Sequence, residues 1–347
     1  MPKRAIKPVS IWLLVIVFLL LAIIVLGGLT RLTDSGLSIT EWKPITGILP
    51  PLSLLDWQSE FQKYQQIPEF KLQNASMTLA EFQTIYWWEW GHRVLGRVIG
   101  LAVFVPLVIF WTMGFLSKGL KIRLSILFVL GGLQGFIGWW MVSSGLGGLG
   151  DTLDVSPYRL VIHLGLALFI LGMTAWTFFD VALSERRRSW RAKVRSYRAV
   201  WVLLVLVYIQ FLLGGFVAGN DGGMVANTWP LIEGGLAPAS YGDLVPFWRN
   251  WFETPVVTQF HHRLGAYLVL GMGLWVAFTI SREKIPELRQ MGRAVILILM
   301  AQMVLGIWTL LAVSPLELAI AHQFVALLTF LIVLNLTHAS SRFYLSS

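Results

Sequence analysis

The amino-acid sequence predicts an all-α membrane protein, with eight transmembrane helices arranged as two pseudo-symmetric four-helix bundles. Three observations lead there. Eight apolar runs approach the length that crosses a bilayer core, Lys and Arg concentrate in alternate connections, and landmark residues recur between the two halves of the chain.

The runs lie at 10–29, 93–114, 123–142, 158–181, 200–218, 261–280, 294–313 and 316–336. Each is about 20 residues, the number a helix needs to cross the hydrocarbon core. Composition agrees: 56% of residues are hydrophobic and 13% charged, where soluble domains carry about 25% charged residues. The first run is too long for a signal-peptide core and lacks a small-residue cleavage site, so it reads as a retained span with no transit peptide ahead of it. Gly100, Gly172 and Gly271 within the runs are compatible with helix, because small residues let membrane helices approach closely. The chain has no cysteine, which excludes disulfides, thiolate metal sites and a cysteine nucleophile.

The net charge of +9 does not read as nucleic-acid binding, because the cations sit in short connections between apolar runs. Lys3, Arg4 and Lys7 precede the first run, and Lys118, Lys121 and Arg123 join the second to the third. Arg186, Arg187, Arg188, Arg191, Lys193, Arg195 and Arg198 fill the central connection. Arg282, Lys284, Arg289 and Arg293 join the sixth to the seventh, and Arg342 follows the eighth. The long alternate loops carry most of the acids, among them Asp34, Glu41, Asp56, Glu60, Asp221, Glu233 and Asp243. By the positive-inside rule both termini are cytoplasmic and the long loops face outward, as expected for a multi-pass membrane protein.

The repeat divides the chain into 1–185 and 186–347. Leu26-Gly27-Gly28-Leu29 ends the first span, and Leu213-Gly214-Gly215-Phe216 ends the fifth. Gly91-His92-Arg93 opens the second and His261-His262-Arg263 the sixth. Gln134-Gly135-Phe136-Ile137-Gly138-Trp139 in the third recurs as Gln302 through Trp308 in the seventh. His163 lies about one turn inside the fourth span and His322 about two turns inside the eighth. Each unit has four spans, so the two copies run the same way across the membrane.

His92, His163, His262 and His322 therefore occupy matching positions toward one membrane face. Ionisable groups in spans are costly and usually functional. Opposed imidazoles from two helices of a bundle can ligate one haem iron from both sides. Zinc fits less well, because no cysteine joins either pair. His261 and His262 point about 100° apart on a helix, and His262 is preferred because it shares a following arginine with His92. His338, at the other end of the last span, reads as structural. Arg93 and Arg263 suit either haem propionates or interfacial snorkelling. Glu89 lies three residues before His92 among Tyr86, Trp87, Trp88 and Trp90, and its counterpart is the non-ionising Gln259. The acid suits proton transfer in a partly dry setting, or simply the positive end of a helix dipole.

These residues resemble the haem A synthase (Cox15/CtaA) family. The resemblance runs through Gly28-Leu29-Thr30-Arg31-Leu32-Thr33-Asp34-Ser35-Gly36-Leu37-Ser38, Glu41-Trp42-Lys43-Pro44 with Gly47 and Pro50-Pro51, and Glu89-Trp90-Gly91-His92-Arg93. It continues through Tyr158-Arg159-Leu160 before His163 and Gln259-Phe260-His261-His262-Arg263. Some family members carry cysteine pairs in the outer loops; this chain resembles the cysteine-free branch typical of alphaproteobacteria and mitochondria. The resemblance implies an oxidoreductase that converts the C8 methyl of haem O to a formyl group by successive hydroxylations, giving haem A for cytochrome oxidase. It implies that His92 and His163 flank the substrate haem iron with Glu89 catalytic, and that His262 and His322 ligate a haem b cofactor. Implied partners are haem O, haem O synthase, an electron-transfer protein and the lipid bilayer, with a homo-oligomer also admitted. Two competing classes are a di-haem b-type electron carrier, which gives no reason for an acid in one half only, and a transporter, which lacks a pair of interrupted helices.

Overall fold

The computed structural model describes residues 1–44, 46–147, 153–188 and 196–345, with the side chains of 184–188 and 342–345 left aside. Arg191, Lys193 and Arg195 lie outside the described residues, as do the side chains of Arg186, Arg187, Arg188 and Arg342.

Among the described residues the chain is helical without strands, and eight helices are long and apolar enough to cross a membrane. They are α1 (Lys3–Leu32), α2 (Leu79–Thr112), α3 (Lys118–Val142), α4 (Pro157–Arg188), α5 (Tyr197–Gly219), α6 (Pro255–Ser281), α7 (Pro286–Leu311) and α8 (Leu316–Leu345). Pro157, Pro255 and Pro286 each open a helix, where the missing N–H is not needed and φ is already helical. The apolar runs understate several helices at their ends. The largest difference is α2, which begins at Leu79 rather than near residue 93. Thr78 and Glu81 form a reciprocal capping box there, so the helix starts on polar chemistry well before the apolar run. Glu89 and His92 consequently lie about three turns inside α2, not at its opening.

Two compact units divide the chain, one of residues 18–167 and one of residues 1–17 with 168–347. The divisions fall within α1 and α4 rather than in the central connection.

In the 18–167 unit the loop after α1 folds over the start of α2. Short helices at Leu54–Tyr64 and Pro68–Leu72 bring Tyr64 and Ile67 into a core with Leu37, Phe82, Tyr86 and Val155. Tyr86 is therefore a core residue, with Trp57 edge-on at 5.0 Å, while Trp87 and Trp88 remain exposed as an interfacial belt would be.

In the other unit Leu203, Val276, Ile280, Val295, Leu327 and Val333 are buried along α5–α8. The loop between α5 and α6 is tied by Asn250, which donates to the Leu244 and Phe247 carbonyls and accepts from the Leu244 N–H. His338 is fully buried, 2.9 Å from Asp180 and edge-on to Trp176, which gives its structural reading a specific form.

Candidate functional site

Each of the four histidines rests on a glycine of the preceding span. A Cβ placed on Gly27 would lie 3.0 Å from Cε1 of His92, and one on Gly138 2.9 Å from Cε1 of His163. The same distances are 3.2 Å from Gly214 to His262 and 2.8 Å from Gly306 to His322. Any other residue would push the ring away. The glycines thus have a packing reason: they let an imidazole lie against bare helix backbone.

His262 and His322 have ring centroids 6.3 Å apart at 78°. Two metal–imidazole bonds of about 2.0 Å each, with the ring radii added, span roughly 6 Å between centroids. The separation fits one metal ion between the rings. His92 and His163 both lie in the 18–167 unit, each over its glycine. His261 points elsewhere: its Nε2 lies 2.8 Å from the Tyr241 hydroxyl, with Trp251 edge-on.

A glutamine stands one turn before three of the four glycines. Nε2 of Gln134, Gln210 and Gln302 lies 3.1, 3.0 and 3.2 Å from Nδ1 of His163, His262 and His322. Each amide also donates to the backbone carbonyl of the same histidine, at 3.0, 2.9 and 3.1 Å. The Oε1 atoms of all three are buried without a hydrogen bond. The matching position before Gly27 is Ile23, whose side chain offers His92 no amide. Sequence reasoning quoted Gln134 and Gln302 only as landmarks and passed over Gln210; the signal was the repeated Gln-x-x-x-Gly.

The Glu89 carboxylate is fully occupied. Oε2 accepts from Ser38 Oγ and from the Ile39 N–H, both at 2.7 Å. Oε1 accepts from Arg93, whose Nη2 is 2.6 Å away. Arg93 also donates to the carbonyls of Ile39 and Glu41, and Arg97 to those of Lys43 and Pro44. Two arginines one turn apart therefore hold segment 39–44 against α2. In the other unit Gln259 Oε1 accepts from Arg263 at 2.6 Å, while its Nε2 donates to the carbonyls of Gly222 and Val225. Arg263 also donates to the Ala226 carbonyl. The Glu/Gln difference thus matches what each loop presents: donors at residue 89, acceptors at residue 259. Arg93 and Arg263 are both engaged with loop carbonyls, an arrangement that neither propionate binding nor snorkelling anticipated.

A pocket of about 330 Å³ opens beside this clamp, lined by Glu41, Lys43, Asp56, Tyr86, Arg93 and Arg97 among others. Lys43 and Lys63 donate to Glu41 and hold its carboxyl below the ordinary range.

Residues 10–334 match the COX15-CtaA family, described as cytochrome oxidase assembly protein. The chain is 51% identical to the haem A synthase of Maricaulis maris over 329 residues, covering 94% of each. It is 50% identical to the haem A synthase of Dinoroseobacter shibae, over 94% of this chain and 86% of that one. It is 44% identical to the haem A synthase of Paracoccus denitrificans, over 97% of this chain and 88% of that one.

Proposed function

The chain belongs to the COX15-CtaA family of cytochrome oxidase assembly proteins, and from that premise we propose that it is a haem A synthase. Its substrate is haem O, its reaction is oxidation of the C8 methyl to a formyl group, and its product is haem A for cytochrome oxidase. Two hydroxylations give a geminal diol that loses water. The observation that carries this reading is the pairing of two His–His sites in one chain, only one of which has an acid beside it, Glu89 against Gln259. One site suits a resident cofactor and the other, with its acid, a haem that is itself transformed.

In this reading His262 and His322 are axial ligands of haem b, supported by their 6.3 Å ring separation. Haem b supplies a one-electron redox centre when bound. His92 and His163 flank the substrate iron. Glu89, one turn from His92, is the proton acceptor of the substrate site. Its oxygens are all occupied by donors, so accepting a proton requires one donor to move. Arg93 and Arg263 act mainly by holding the loops over the sites, with haem propionates as further acceptors.

The two-bundle architecture, with repeat halves at 1–185 and 186–347, is supported by the same His–Gly contact recurring on α1, α3, α5 and α7. The membrane is the bacterial plasma membrane, with both termini cytoplasmic and the long loops outside, by the distribution of lysine and arginine. Haem O synthase and an electron-transfer protein are its functional neighbours. Pigment analysis of the protein purified after co-expression with a haem O source tests the assignment. Haem b together with haem O or haem A is expected. Haem b alone would sink it and favour a di-haem electron carrier.

A further inference from the structure

Arg97 stands on the side of α2 turned away from the histidine. At about 100° per residue it lies roughly 140° around the helix from His92. The far side also carries Leu101, Val105 and Val108, which are 61%, 48% and 45% exposed. An exposed apolar stripe on a helix of spanning length is the side that meets lipid. A cation at the head of such a stripe is costly unless its charged end is partnered. Here the loop partners it: Nε donates to the Pro44 carbonyl and Nη2 to the Lys43 carbonyl, both at 2.9 Å. Arg93 holds Ile39 and Glu41 one turn nearer the start of α2. Between residues 39 and 44 the loop therefore descends the helix by one turn, into the level of the apolar run.

Residues 44–55 carry no charge, and Leu49, Leu52, Leu54 and Leu55 are 68%, 79%, 63% and 77% exposed. The backbone of this segment has few donors to spare. Pro44, Pro50 and Pro51 have no N–H. Gly47 and Leu49 donate to the carbonyls of Lys43 and Thr46, and Leu52 and Ser53 to the Asp56 carboxylate. Water would satisfy such donors at no cost, whereas lipid tails offer them no acceptor. A protein partner could cover the leucines too, but it would bring hydrogen-bond partners of its own, so the sparing of donors points to lipid.

We propose that residues 48–55 form an interfacial anchor, seated among phospholipids at the headgroup–acyl boundary of the leaflet nearer His92. The anchor continues the lipid-facing stripe of α2 across Arg97. It also ties the bilayer to the acid of the site. The same loop supplies Ser38 Oγ and the Ile39 N–H to Glu89, so lipid contact at 48–55 steadies two of that carboxylate's donors. The anchor does not depend on which haem the site binds.

The chain has no cysteine, so a single spin-labelled cysteine reports without background. Leu49→Cys, Leu52→Cys and Leu55→Cys are each placed in the full-length protein, purified with its haems and held in nanodiscs of phosphatidylcholine and phosphatidylglycerol. Ala80→Cys is the aqueous control, at an exposed position about 25 Å along α2 from Arg97. Relaxation of the label by dissolved oxygen is compared with relaxation by a water-soluble nickel chelate. Oxygen is expected to dominate at the three leucine positions and the chelate at Ala80. The chelate dominating at all four would overturn the anchor. So would leucine-position labels that neither reagent reaches, because those would be covered by protein, either a second copy or a partner. The unsubstituted protein gives an independent reading. A phospholipid with a diazirine near the carboxyl end of its acyl chain should leave adducts on peptides from 44–55 and none on those from 73–80, and a clean 44–55 would overturn the anchor. Leu52→Asp combined with Leu55→Asp should speed proteolysis within 33–45 in nanodiscs, and an unchanged rate would overturn the link to Glu89.

Discussion

Arg93 lies 2.6 Å from the Glu89 carboxylate at the centre of a clamp that also takes Ser38 and the Ile39 N–H. Both partners are largely shielded from solvent, so the pair resembles a buried one, where removing one charge costs about 3–5 kcal/mol. Glu89→Gln is therefore not a neutral swap. Its NH₂ must meet either the guanidinium or the Ile39 N–H, and neither can accept. Glu89→Gln is expected to lower haem A output at least tenfold while haem b is retained, and to speed proteolysis in segment 33–45. Full haem A output would remove Glu89 from the chemistry.

The reciprocal change is as informative. Gln259→Glu would set a carboxylate against the carbonyls of Gly222 and Val225, which its present amide satisfies as a donor. Lower thermal stability is expected, with the loop between α5 and α6 loosened, as read by hydrogen exchange. An unchanged melting temperature would mean that the loop repacks at no cost.

Adjacent histidines with different partners predict different phenotypes. His262→Ala should abolish haem b binding, measured as pyridine haemochrome per protein, because it removes one of two opposed rings. His261→Ala should retain haem b and lose only the Tyr241 contact. Loss of haem b in both would show that the outer hydrogen bond matters to the site as much as ligation.

Glycine contacts sort by distance. Gly306→Ala and Gly138→Ala bring a methyl within 3.0 Å of a histidine ring and are expected to reduce haem b and haem A content respectively. Gly131→Ala on α3 meets nothing within 4 Å and should leave both unchanged. Equal effects at all three would locate the cost in helix flexibility instead of ring packing.

Glu69 in the 33–78 loop is buried, and burial pushes its carboxyl from the ordinary 4.5 up to about 7, against a 2.6 Å hydrogen bond from Tyr64 that favours the charged form. Asp154, Asp34 and Glu89 add to the upward shift. A raised acid stabilises the fold fully below its unfolded value and loses that contribution as pH rises through the folded one. Protection of this loop against protease should therefore fall between about pH 5 and pH 8, and Glu69→Gln should flatten the profile. A flat profile in the unsubstituted protein would mean that Glu69 is ionised throughout.

Much of this was legible without coordinates. Apolar runs of bilayer length sufficed for the eight helices, because burial in lipid is a property of composition along one segment. The four histidines emerged because a repeat makes equivalent positions visible in one chain. The polar starts of helices were less legible: the capping box that extends α2 back to Leu79 lies outside the apolar run, so His92 was placed at an opening it does not occupy. Partner identity was least legible. Nothing local says that Glu89 faces two donors where Gln259 faces two acceptors, since Ser38 and Gly222 are distant in sequence from the residues they meet. Nor does Gln210 declare itself until α5 and α6 pack and its amide reaches His262. The sequence by itself determined which segments are long and apolar enough to cross a membrane and which histidines occupy matching positions of the repeat, because periodicity and repetition are written along the chain. Only the tertiary structure decided what each of those side chains touches, because hydrogen-bond polarity is settled between segments and leaves no periodic trace within either one.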